Sequence, residues 1–167
     1  PEMHQIPAQY FRTHESGGSP RCVQHIHIYN HNSDGQDQQI GLAEVEVFAG
    51  GGNIAGGGTA IQGDKSQQTA ATDGAAENAI DGDPSTKSLT EHNHIQRGGL
   101  WWKLDLGSEQ DVGRIRITAP NSNGSDLEGA FVYARDSNYQ ILWSGRIKGA
   151  SDGSVHELQV ETCCSGY

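Results

Sequence analysis

Asp81 and Asp83 flank Gly82 in the stretch Ala75-Ala76-Glu77-Asn78-Ala79-Ile80-Asp81-Gly82-Asp83-Pro84-Ser85-Thr86. Hard cations such as calcium take six to eight oxygen ligands, mixing carboxylates with backbone carbonyls. A sharp turn at Gly82 can bring both carboxylates to one point, and a turn leaves carbonyls that a helix or sheet would have consumed. Taken alone, Asp-Gly-Asp is more often an ordinary turn, so a cation needs further support. Two histidine pairs, His25 with His27 and His92 with His94, have strand spacing and could bind zinc or copper. Neither has a third and fourth ligand at convincing spacing, so the histidines are expected at the surface. His92, His94 and Arg97 lie in the polar run Glu91-His92-Asn93-His94-Ile95-Gln96-Arg97. They offer donors and acceptors suited to sugar hydroxyls, although a solvated loop would read the same way. There is no G-x-S-x-G elbow, no H-E-x-x-H, no P-loop and no carboxylate pair outside the Asp-Gly-Asp loop. Catalysis is therefore not expected.

The chemistry of the cysteines and of one sequon points to a compartment. Cys22 stands near one end, and Cys163 and Cys164 near the other. Adjacent cysteines rarely bond each other, so Cys22 is expected to pair with one of the two, leaving the third unpaired or bonded to a neighbouring molecule. Disulfides track oxidising compartments, which places the protein outside the cell, secreted or at the cell surface. Asn123-Gly124-Ser125 is a glycosylation sequon in a polar loop, where an acceptor must lie to be reached. The 21 acidic against 11 basic residues give a formal charge of -10. Nucleic acid is then an improbable partner, because phosphate binding needs a basic patch. No stretch approaches the roughly 20 apolar residues of a membrane-spanning helix. The chain begins at Pro1 rather than Met, as a processed chain or a fragment would.

These residues need elements to hold them. The 167 residues suit one domain, and 23 glycines with 34% hydrophobic residues suit a loop-rich all-β architecture. Residues 1–20 contain Pro1, Pro7, Pro20 and a Ser-Gly-Gly-Ser stretch, and read as an arm whose only apolar cluster is Ile6, Tyr10 and Phe11. Residues 21–167 then form the domain. Cys22–Tyr29 alternates, with Ile26 and Ile28 on one face and His25 and His27 on the other. Leu42–Phe48 alternates as well, burying Val45 and Val47 and exposing Glu44 and Glu46. Further strands are predicted at Leu100–Leu106, Val112–Thr118, Ala130–Arg135, Gln140–Arg146 and Val155–Val160, with one helical turn at Ala75–Ala79. Many short strands joined by turn chemistry imply a β-sandwich or a jelly-roll barrel rather than a βαβ fold. Trp102 or Trp101 is expected in its core, with Trp143 packing alongside.

The strings AAENAIDGDPSTKSLT and GGLWWKLDLGSEQDVGRIRIT resemble the discoidin-like, fucose-lectin-like (coagulation-factor C-type) family, whose fold is a galactose-binding-domain-like sandwich. Members of that family usually end in a strand reading L-x-L-C-E-V-E-V. Here its equivalent, Leu42-Ala43-Glu44-Val45-Glu46-Val47, precedes the DG loop, and Cys22–Tyr29 resembles the penultimate strand. The strand order therefore looks circularly shifted, which close termini tolerate.

The resemblance implies a structural calcium. Its ligands, carried over, are the carbonyls of Ala43 and Asn78, the side chains of Glu44, Asp81 and Asp83, and Ser88 or a near neighbour. It also implies a lectin-like, carbohydrate-binding and non-catalytic role, with glycans as partners. Fucose recognition in the family uses an Arg pair just after the V-x-R strand. Here Ala119–Leu127 contains no Arg, so that specific site is not expected. The alternative role is a structural subunit of an extracellular coat or filament, with residues 1–20 reaching neighbouring copies and polymerising them.

Overall fold

A computed structural model describes residues 21–30, 39–63, 74–90 and 100–162. The proposed arm at 1–20 therefore lies outside the described residues. Among the described residues eleven strands follow in chain order: β1 Val23–Asn30, β2 Gly41–Leu42, β3 Glu44–Ala49, β4 Gly52–Asn53, β5 Thr59–Gly63 and β6 Ser88–Leu89, then β7 Leu100–Gln110, β8 Val112–Thr118, β9 Phe131–Arg135, β10 Ile141–Arg146 and β11 Val155–Gln159. They build a five-stranded sheet, β10-β9-β1-β7-β5, a four-stranded sheet, β11-β8-β3-β4, and a small β2-β6 ladder. Every pairing is antiparallel.

Alternation explains why the two large sheets face each other. From one come Ile26, Ile28, Trp102, Leu104, Val132 and Ala134, and from the other Val45, Val47, Ile115 and Ile117. All ten are fully buried. Burying side chains of the Val, Ile and Leu size stabilises the fold by about 1.5–3 kcal/mol each. The β-sandwich expected from the sequence is the fold observed, and Trp102 is the tryptophan in its core. Trp143 is partly buried and packs against that core.

Register fixes what the outer faces carry. On the five-stranded sheet His25 sits between Asp105 and Arg135, His27 between Lys103 and Tyr133, and Tyr29 between Trp101 and Phe131. Arg146 extends the last row on β10. On the four-stranded sheet one outward row is Glu46, Arg116 and Glu157, and the next is Phe48, Arg114 and Gln159. Arg116 grips Glu46 with two hydrogen bonds of 2.5 and 2.7 Å.

Candidate functional site

The DG loop is built on a 3₁₀ turn, Ala76–Ile80, whose Ala76, Ala79 and Ile80 are buried. The indole N–H of Trp102 donates to the Ala76 carbonyl at 3.1 Å, tying this turn to β7. Gly82 then adopts φ +80°, a conformation that side chains disfavour. Within the loop, Asp81 Oδ1 accepts the Asp83 N–H at 2.8 Å and Asp81 Oδ2 accepts the Thr86 hydroxyl at 2.7 Å. Asp83 Oδ1 accepts both the Ser85 hydroxyl and the Ser85 N–H, which hold its carboxyl below the usual range. The Asn78 amide donates to the Lys87 carbonyl at 3.1 Å.

This loop faces the start of β3. Ala43 links β2 to β3, and its N–H donates to the Thr118 carbonyl at 2.9 Å. Ser88 lies in β6 opposite Leu42 and is fully buried. Glu44 follows Ala43, and here the structure corrects the expectation of an exposed side chain: Glu44 is only 6% exposed. Alternation did place it on the outer face of the sheet, but the turn carrying the DG loop packs against β3 and covers it. Neither Glu44 carboxylate oxygen has a hydrogen-bond partner, and neither has the Ser88 hydroxyl. A buried carboxylate without a partner is costly. Burial pushes its pKa up to about 7, with Asp81, Glu46 and Asp83 adding to the rise. The nearby Gly82 N–H pulls the other way without reaching hydrogen-bonding geometry with either oxygen.

The structure thus brings Glu44 and Ser88 to the loop that carries Asp81, Asp83 and Asn78. Among the described residues no three His, Cys, Asp or Glu side chains form a ready metal cluster, because the Asp carboxylates turn toward their own loop. The donor set is nevertheless all oxygen, with three buried oxygens left unpartnered, and that is the chemistry of a hard-cation site.

Other expected residues fare differently. His92, His94 and Arg97 lie outside the described residues, as do Cys163 and Cys164. Cys22 is disulfide-bonded. Asn123 is exposed and left-handed, with φ +58°, at the head of the 3₁₀ turn Gly124–Leu127. His25 and His27 correct a second expectation: they point outward but are only 5% and 4% exposed. Asp136 Oδ1 accepts the N–H groups of Asn138 and Gln140, shaping a turn that returns the Tyr139 ring onto His25, centroids 4.3 Å apart. Burial, then Lys103, Arg135 and His25, press the His27 pKa down to about 3, so its ring is neutral at neutral pH.

Sequence reasoning passed over the aromatic face to which these histidines belong. Its signal lies in the alternations Tyr29, Trp101-Lys103 and Phe131-Tyr133-Arg135. Only strand register assembles those pieces.

A family profile of the F5/F8 type C group, described as NedA-like, galactose-binding domain, matches residues 78–165, just over half the chain. The chain belongs to this family. The match opens at Asn78, takes in the whole DG loop and runs through β6 to β11 of the galactose-binding-like domain, leaving β1 to β5 and Glu44 outside it. No curated protein and no solved structure matches the chain.

Proposed function

We propose that this galactose-binding-family domain is a non-catalytic carbohydrate-binding module of the extracellular space, with its DG loop clamped by calcium. Family membership supports a sugar as the ligand class. The observation that carries the clamp is Glu44, a buried carboxylate with both oxygens unpartnered beside Asp81 and Asp83. Glu44, Asp81, Asp83, Ser88 and the carbonyls of Ala43 and Asn78 would hold the ion. Bound there, calcium supplies positive charge to three neighbouring carboxylates and pins the loop to β3. The disulfide at Cys22 and the exposed sequon residue Asn123 support an oxidising, glycosylating compartment. The alternative, a coat or filament subunit, rests on residues 1–20, outside the described residues.

A glycan array read with calcium and again after chelation tests both halves of the proposal. The expected result is capture of a restricted set of glycans that weakens on chelation, with millimolar calcium raising the melting temperature by several degrees. An array with no captured glycan in the presence of calcium overturns the sugar assignment. A melting temperature indifferent to calcium overturns the clamp.

A further inference from the structure

The fold dictates the residue types of the pair Asn123 and Gly124. A Cβ on Gly124 would lie 2.4 Å from the Ser151 carbonyl oxygen and 2.8 Å from the Asp152 Cα, so only glycine fits there. Asn123, just before it, is left-handed at φ +58° and ψ +29°. Asparagine tolerates that conformation better than most residues. Packing and backbone shape thus put an exposed asparagine directly before a buried glycine.

That pair carries a chemistry of its own. The Gly124 nitrogen can attack Cγ of the Asn123 side chain, forming a C–N bond and expelling the amide nitrogen as ammonia. The five-membered succinimide that results takes up water at either carbonyl, giving aspartate or isoaspartate. A side chain on the second residue would crowd the attacking nitrogen, and glycine has none. The Asn123 side chain makes no capping hydrogen bond, so its amide is available.

Two features of the loop oppose the reaction. Ring closure requires the Gly124 nitrogen to eclipse Cβ of Asn123 about the Cα–C bond. At ψ +29° it lies nearer to eclipsing the Asn123 nitrogen, so closure needs a large rotation about that bond. The second feature resists the rotation: the Gly124 N–H donates to Asp152 Oδ1 at 2.8 Å. Charge-assisted hydrogen bonds of this kind are stronger than neutral ones. The turn carrying Asp152 is itself pinned, with Gly153 N–H donating to the Pro120 carbonyl and Ser154 N–H to the Ser151 carbonyl, both at 3.0 Å.

We propose that Asn123 and Gly124 form a spontaneous deamidation site whose rate the fold sets through the Asp152 carboxylate. The nitrogen that leaves is Nδ2, the atom a glycan on the sequon would occupy, so deamidation and glycosylation of Asn123 exclude each other. Isoaspartate inserts a further carbon into the backbone ahead of Gly124, which has no room to move toward Ser151. Reaction at this one residue would therefore break the tie between the two loops. Neither calcium nor a sugar takes part.

The test ages the full chain, made in a host that does not glycosylate, at neutral pH and reads Asn123 by peptide mass spectrometry with isoaspartate detection. The same chain in guanidinium chloride gives the rate without a fold. Native wild type should deamidate at Asn123 at least about tenfold more slowly than the unfolded chain. Asp152→Ala should react about tenfold faster than native wild type, the loss of one charge-assisted hydrogen bond. Asp152→Ser, which keeps an oxygen but no charge, should lie between them and serves in its place if Asp152→Ala does not fold; melting curves show which variants are folded. Native and unfolded wild type reacting alike, or folded variants no faster than wild type, overturns the proposal. Slower reaction in the variants overturns it as well, by making the carboxylate a base that assists attack. An unfolded chain that forms no isoaspartate at this position removes the site itself.

Discussion

Glu44 is a carboxylate that the fold prefers protonated. Its pKa is about 7 in the folded domain against an ordinary 4.5. In the metal-free domain its contribution is therefore fully favourable below pH 4.5 and is lost as pH rises through 7, a swing on the order of 3 kcal/mol. His27 works from the other side. Its pKa falls from 6.5 to about 3, so the stability that its neutral ring confers is present above pH 6.5 and declines as pH drops. Metal-free stability should then peak between the two regimes. Comparing the wild type with Glu44→Gln isolates the glutamate, because His27 is common to both. Without calcium, Glu44→Gln should be the more stable at pH 8 and lose that advantage by pH 5. With calcium at pH 8 the order should reverse, since the ion needs the ionised carboxylate that only the wild type has. Calorimetric melting curves at the two pH values, with and without calcium, check this, and parallel profiles for the two proteins would refute it. The sequence shows why Glu44 was only half legible. Alternation assigns a face to a side chain, but it is silent about a distant loop that folds over that face.

At the scale of elements, the loop depends on a contact that no local motif encodes. Trp102 fills the core between the sheets, and its N–H holds the carbonyl of Ala76, four residues before Ile80 closes the 3₁₀ turn. Trp102→Phe keeps an aromatic ring in the core but removes that donor and so the tie between the turn and β7. A loss of about 2–3 kcal/mol is expected from the lost hydrogen bond and the smaller ring together. Because the turn leads directly into Asp81 and Asp83, calcium affinity should fall along with stability. Urea denaturation and a calcium titration on the same variant measure both, and loss of stability with full calcium affinity would uncouple the turn from the site. Strands were legible where β-branched residues alternate strictly: Val112–Thr118 was predicted with the bounds observed. Leu100–Gln110 was predicted short, because its last four residues, Gly107–Gln110, carry no apolar signal while continuing the strand. Thr59–Gly63 was missed altogether. It is short, borders a Gly run and has Ala and Gln as its buried side chains, Gln62 being held by the carbonyls of Gly74 and Leu89. Neither residue marks a strand by type.

At the scale of the whole molecule, the segment that carries the family signature is not the segment that fills the middle of the fold. The match covers 78–165, yet β1 runs between β9 and β7, β3 pairs β8, and β5 pairs β7. All three of these strands come from residues before 78. Removing them would open the five-stranded sheet at its centre, strip β8 of one neighbour and take Ile26, Ile28, Val45 and Val47 out of the core. β9 and β7 both run antiparallel to β1 and so parallel to each other, and closing the gap would need a new parallel ladder between them. A fragment comprising residues 78–165 should therefore be unfolded despite containing the whole segment that the family profile matches. Its amide spectrum should show little dispersion, and its circular dichroism little β signal, under conditions in which the full chain is folded. A cooperative melting transition in the fragment would show that the matched region folds without β1, β3 and β5. Central strands drawn from one end of the chain and partners from the other make most stabilising contacts long-range, so folding of the intact domain should be slow for its size.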